Sequence, residues 1–171
     1  VYLRTLELLD VESLPQVIAG GSANDAARAR QKLHETGVHG AFAVMHPSPK
    51  FPYKSWTLDG WRETGRWLAA QGLHVVLTGG PDPDERARVA AIAQALPGAI
   101  DLSGQLSLAE TAGVLAQCSL YVGPDTAITH LAAALDVPVV TLFGPSDPVK
   151  WGPWPAQPSG RDNPWLRHGS Q

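Results

Sequence analysis

Along the middle of the chain, short apolar runs alternate with stretches of helical period. The runs are Ala41–Met45, His74–Thr78, Ala99–Leu102, Leu120–Val122 and Val137–Phe143. None of them alternates apolar with polar residues, which is how strands covered on both faces of a parallel sheet read. Between the runs, Leu58, Trp61, Gly65 and Leu68 fall on one helical face, and Val89, Ile92, Ala93 and Leu96 follow the i, i+3, i+4, i+7 spacing. A third segment carries Leu108, Ala112 and Leu115, and a fourth Ile128, Leu131, Ala132 and Leu135. Ser107-Leu108-Ala109-Glu110 reads as a capping box. Asp82-Pro83-Asp84-Glu85 reads as a helix start with an acidic cap and a proline at the first helical position. Strands alternating with helices of about 10–15 residues predict βαβ units and right-handed crossovers. The expected fold is therefore α/β, a doubly wound, Rossmann-like parallel sheet over residues 38–150.

The two ends read differently. Residues 1–37 are expected to be helical, with Leu3, Leu6 and Leu9 at helical spacing and an Ala/Arg-rich segment at Asn24–Glu35. Residues 145–164 hold six prolines beside Trp151 and Trp154, a composition that excludes a regular helix or a central strand. Residues 151–171 read as a Pro/Trp-rich tail.

Composition narrows the class. A length of 171 residues suits one domain with short flanking pieces. Hydrophobic residues at 44% and charged residues at 17% exclude a disordered chain, a coiled coil and a collagenous repeat. A net charge of −3 without a basic run argues against nucleic acid as a partner. No apolar run is long enough for a membrane-spanning helix. The single cysteine, Cys118, cannot form an intrachain disulfide, and with no signal peptide at Val1 a reducing compartment is expected. A start at Val1 rather than Met suggests a piece of a longer protein.

In an open parallel sheet, ligands bind beyond the carboxyl ends of the strands where strand order reverses. With the order 3-2-1-4-5, the loop from His46 to Lys54 and the turn from Gly123 to His130 flank one crevice. That turn joins a strand directly to a helix whose first N–H groups lack intrahelical partners, an end suited to phosphate. Small Ala127 lets a diphosphate approach the backbone. Thr126 and His130, four apart, share a face from which His130 can donate to a phosphate oxygen. The competing interpretation is that Asp125 or Thr126 simply caps the helix and His130 packs. Lys54 offers a point charge to a phosphate, or it is solvated surface. Asp82-Pro83-Asp84 is explained as a helix start rather than a metal motif, since the other hard ligands of a metal cage are missing. Cys118 and His74 read as structural. No Walker loop, Gly-x-Gly-x-x-Gly loop or Gly-x-Ser-x-Gly elbow is present.

These residues also carry a resemblance. His46-Pro47 followed by Lys54-x-Trp56, then Val75–Pro81, Asp101-Leu102-Ser103-Gly104 and Val122–Leu135, and finally Pro138–Pro145 with Trp151-Gly152-Pro153, resemble the ADP-heptose lipopolysaccharide heptosyltransferases. The resemblance covers residues 40 to 155 and implies the C-terminal, donor-binding half of a two-Rossmann GT-B enzyme. It implies that Ser48 and Lys54 contact the donor diphosphate, and that Asp125, Thr126 and Ala127 supply helix-end contacts beside His130. Glu85 would lie near the ribose, and the loop at Gly104–Leu108, with Leu106, near the nucleobase. It further implies ADP-heptose as donor, no metal, and a lipopolysaccharide-type acceptor. The acceptor domain is missing in cis and carries the catalytic carboxylate, so the piece alone is expected to be inactive. The implied location is cytoplasmic, at the inner face of the inner membrane. Where the family has Gly after Asp-Thr, Ala127 stands here. Two alternatives stay open: another GT-B donor domain using a UDP- or GDP-sugar, and a non-catalytic nucleotide-binding module.

Overall fold

The computed structural model describes residues 22–154, together with Leu8, Leu9 and Ala19. The leucine-rich start expected to be helical and the chain beyond Trp154 lie outside the described residues, these three positions excepted. Five parallel strands are seen: β1 (Phe42–Met45), β2 (His74–Leu77), β3 (Ile100–Asp101), β4 (Leu120–Pro124) and β5 (Val139–Leu142). Their order is β3-β2-β1-β4-β5, the doubly wound order taken above in placing the crevice. The register sets Val44 beside Val76 on one side and beside Tyr121 on the other.

Because successive strand residues point to opposite faces, each strand feeds two cores. Val44, Val76 and Tyr121 lie on one face, under α1 (Ala23–Glu35), α4 (Leu108–Leu115) and α5 (Ala127–Ala134). Ala43, Met45, Val75, Leu77 and Val122 lie on the other, under α2 (Leu58–Ala70) and α3 (Pro83–Ala95). That double burial is why the strands read as continuous apolar runs.

The helix starts follow their chemistry. Asp82 caps α3, accepting from the amides of Asp84 and Glu85, with Pro83 at the first helical position. Ser107 and Glu110 form the expected capping box on α4, and Ser22 with Asp25 forms another on α1. Leu58 and Leu108, expected on apolar faces, are 47% and 69% exposed, because each opens its helix beyond the reach of the sheet. Part of the proline-rich stretch is helical after all. Asp147 caps a single turn, α6 (Pro148–Trp151), whose proline occupies the first position, where no amide hydrogen is needed.

The sequence pattern starts the domain at residue 38, yet α1 supplies Ala29 and Leu33 to the core. It packs closely on α4 because Gly113 has no side chain. A Cβ there would stand 2.8 Å from the Ala29 Cβ and 3.1 Å from the Asp25 carbonyl oxygen. Gly113→Ala must therefore push two backbones apart, and we expect a loss of about 1–3 kcal/mol in unfolding free energy. Chemical denaturation checks this; an unchanged midpoint contradicts the packing described.

Candidate functional site

β1 and β4 are neighbours whose following segments run to opposite faces of the sheet, and a cleft of about 440 Å³ opens beyond their carboxyl ends. His46, Ser48 and Lys50 line it from the end of β1, and Thr78, Gly79, Gly80 and Pro81 from the end of β2. Glu85 reaches in from α3, and Leu106, Leu108 and Thr111 close the side next to α4. Thr126, Ala127 and Ile128, at the start of α5, form the remaining wall. A second hollow, of about 360 Å³, is lined by residues including Arg86, Asp101, Ser103 and Gln105.

The wall at α5 is held by buried hydroxyls. Thr129 is fully buried, and its hydroxyl donates to the Pro124 carbonyl at 2.5 Å. Tyr121 Oη lies 2.9 Å and Thr126 Oγ1 3.2 Å from the Thr129 oxygen, so both can donate to it. Burial pushes the Tyr121 phenol up to about 12, which keeps its proton in place. Thr126 is the cap of α5, as the competing interpretation allowed, but His130 does not pack: its side chain is 46% exposed. Ala127 and Ile128 stand at the first helical positions, where amides have no intrahelical partner. Ala127 has no positive φ, so the glycine of the family pattern is not conformationally required here.

Ser48 lines the same cleft as this helix end. It is 5% exposed, and its Oγ has no hydrogen-bond partner. A buried hydroxyl left unpaired costs about 1–3 kcal/mol unless something outside the chain completes it.

Three of the expected residues sit beside the cleft rather than in its lining. Lys54 Nζ lies 2.5 Å from Asp125 Oδ2, and both side chains are largely buried. His130 Nε2 lies 3.7 Å from the other oxygen of Asp125. Asp125 is thus a bridge between two basic groups and not the helix cap. Ser48, Glu85, Leu106, Thr126 and Ala127 all line the cleft. His74 is exposed at the start of β2, and Cys118 is buried, its thiol pushed up to about 11 by desolvation. Among the described residues, no group of three or more His, Cys, Asp or Glu side chains is placed to hold a metal ion.

The sequence reading placed His46, Lys50 and Thr129 in segments flanking the crevice without singling them out, and left Thr78 as the end of a strand. His46 is buried, and its Nδ1 lies 3.0 Å from Thr78 Oγ1. Each of the two is the first residue past the end of its strand, and that position is the signal that could have found them.

These features define a doubly wound α/β domain with a cleft at its switch point. The chain belongs to glycosyltransferase family 9 (heptosyltransferase), whose family model matches residues 6–161. It is 35% identical over 129 residues to lipopolysaccharide heptosyltransferase 3 of Escherichia coli, covering 74% of this chain and 38% of that protein. It is similar to the structure of E. coli heptosyltransferase WaaC with ADP, with a TM-score of 0.63 and 33% identity over 75% of this chain and 40% of that one. WaaC with ADP-2-deoxy-2-fluoro heptose matches with a TM-score of 0.60 and 30% identity over 84% of this chain and 43% of that one. The chain spans between 38 and 43% of the length of these relatives.

Burial lowers the His46 imidazole from 6.5 to about 4, so it is neutral at pH 7. The unfolded chain therefore binds the extra proton between those two values. The stability that this burial confers is whole above about pH 6.5 and is lost as pH falls toward 4. The loss reaches about 3 kcal/mol, at about 1.4 kcal/mol per pKa unit. His46→Gln should flatten that part of the profile in denaturant melts across pH; an unchanged slope contradicts a buried, neutral His46.

Proposed function

We propose that this chain is the donor-binding part of an inverting, GT-B heptosyltransferase that takes ADP-heptose in lipopolysaccharide core synthesis. The observation that carries this reading is that Ser48, whose buried hydroxyl has no partner, and the opening residues of α5, whose amides have no intrahelical partner, line the same cleft. Unpaired donors in one cleft, at the positive end of a helix, suit the diphosphate of a nucleotide sugar. The ADP and ADP-2-deoxy-2-fluoro heptose named with WaaC support the choice of nucleotide and sugar.

In this reading Ser48, Thr126 and the amides of Ala127 and Ile128 hold the diphosphate. Lys54, steadied by Asp125, meets its charge from the side, with His130 beyond. Leu106 packs near the adenine and Glu85 near the ribose. An acceptor hydroxyl attacks the anomeric carbon in line while the bond from that carbon to the diphosphate oxygen breaks. The electron pair leaves on the diphosphate, and the hydroxyl proton goes to a carboxylate outside this chain. Groups already aimed at the departing oxygens stabilise charge as it develops there, without reorganising. The charge is met by Lys54 and the helix end rather than by a metal ion. The acceptor is of lipopolysaccharide type, bound with a second domain in cis, and the reaction takes place in the cytoplasm at the inner face of the membrane. Among the described residues no helix is long and apolar enough to cross a membrane.

Calorimetric titration with ADP, UDP and GDP tests the reading. We expect ADP to bind most tightly, and Ser48→Ala to weaken it about tenfold, the value of one hydrogen bond to a charged group. A preference for UDP or GDP moves the chain to a different donor; an unaltered affinity in Ser48→Ala removes the proposed diphosphate grip. In the enzyme with its acceptor domain, Lys54→Ala should lower kcat by at least about tenfold. Unchanged turnover there contradicts a leaving-group role for Lys54.

A further inference from the structure

Between β1 and α2 the chain puts large apolar side chains into solvent. Phe51 is 47%, Tyr53 63% and Trp56 41% exposed. The Phe51 and Tyr53 rings stack on each other, 5.6 Å apart and 15° from parallel, and Trp56 packs edge-on against buried Trp61. The backbone beneath them is fixed. Pro52–Lys54 form a single 3-10 turn, in which the Lys54 amide donates to the Phe51 carbonyl and the Ser55 amide to the Pro52 carbonyl. Lys54 turns inward to Asp125, which ties the turn to the domain. The two stacked rings are therefore presented by a braced turn, one residue beyond Lys50 in the cleft lining.

Charge along this loop has one sign. Residues 46–58 hold two lysines and no acid, in a chain whose net charge is −3. Lys54 is paired with Asp125, whereas Lys50 holds its ammonium 5.7 Å from the centre of the Phe51 ring. The segment after β5 adjoins the loop, since a Cβ on Gly144 would stand 3.7 Å from the Tyr53 carbonyl oxygen. That segment runs on to Trp151, half-exposed, with Lys150 Nζ 5.1 Å from its ring. Aromatic rings with lysines alongside settle at a membrane–water boundary, the rings at headgroup level and the ammonium groups in water. The size of the patch argues the same way. Three half-exposed rings, each of about 150–250 Å², offer about 300 Å². A stable protein interface needs about 800 Å² from each partner.

We propose that the Phe51–Tyr53 turn is a membrane contact, whose two rings enter the headgroup region of an anionic bilayer while Lys50 meets lipid phosphates. The proposal rests on the donor reading above for its lipopolysaccharide-type acceptor, and adds the surface that brings the cleft to it.

Co-sedimentation of the full chain with lipid vesicles tests this, with ADP calorimetry on the same samples. We expect binding to vesicles of equal parts phosphatidylglycerol and phosphatidylcholine to be about fivefold tighter than to phosphatidylcholine alone, the contribution of one lysine near an anionic surface. Phe51→Ser combined with Tyr53→Ser should weaken vesicle binding at least about tenfold, by removing the apolar area that enters the lipid. The thermal midpoint and ADP affinity of that variant should stay native, because both side chains are exposed and neither lines the cleft. A doubly substituted chain that sediments as the native chain does overturns the proposal. A native chain that binds ADP but neither kind of vesicle also overturns it, leaves the turn to a protein partner, and lets the donor reading stand. Equal binding to the two kinds of vesicle removes Lys50 from the contact. A native chain that binds vesicles but no nucleoside diphosphate overturns the donor reading and keeps the membrane contact.

Discussion

The Thr129 hydroxyl ties the end of β4 to the first turn of α5, and the geometry of the cleft depends on that tie. It lies in a fully buried position where an unmade hydrogen bond is expensive, yet its donor and acceptor capacity is used by Pro124, Tyr121 and Thr126. The arrangement constrains the intervening residues. Gly123 cannot carry a side chain, since its Cβ would collide with the Tyr121 hydroxyl. Pro124 needs no amide partner and supplies only its carbonyl. The chain therefore turns from strand to helix within two residues, Asp125 and Thr126, and α5 begins at the mouth of the crevice.

From that fixed helix end the cleft divides into two chemistries. On one side stand unpaired donors: the Ser48 hydroxyl and the amides opening α5, with Lys54 close by. On the other stands an acceptor, the Glu85 carboxylate, beside a neutral histidine. In the proposed donor reading, a phosphate is drawn to the first side and repelled by the second, which gives a nucleotide one favoured direction along the cleft. Asp125 refines the first side. Paired with Lys54 at 2.5 Å, it offsets part of the lysine's charge and holds its ammonium in place; in the proposed reading this reduces the side-chain entropy lost on binding.

Much of this was legible in the sequence where local chemistry decides it. Buried strands read as unbroken apolar runs, and the caps at Asp82 and Ser107 announced two helices. The parallel sheet followed from the βαβ pattern, and the crevice from taking the order 3-2-1-4-5, which the sheet has. What local pattern could not show was pairing across the fold. Asp125 and Thr126 were equal candidates for the α5 cap, and the choice between them turns on Lys54, distant in the chain, taking the carboxylate. His46 opened a loop placed at the crevice, but its partner Thr78, at the end of the neighbouring strand, could not be read from local pattern. The α1 helix looked like a flanking piece, because its polar, Arg-rich sequence shows little apolar face; its seat on α4 rests on Ala29, Leu33 and the absence of a side chain at Gly113. The short helix at Pro148 was hidden by the number of prolines around it, although its proline occupies the one position that suits it.

The central claim is that the switch-point cleft holds a nucleoside diphosphate with its phosphates at the start of α5. Residue-resolved amide shifts on titration with ADP test it most directly. The account predicts the largest shifts at Ser48, Ala127 and Ile128, with a second group at Gly79 and Gly80. Shifts confined to Arg86, Ser103 and Gln105, around the second hollow, would contradict it.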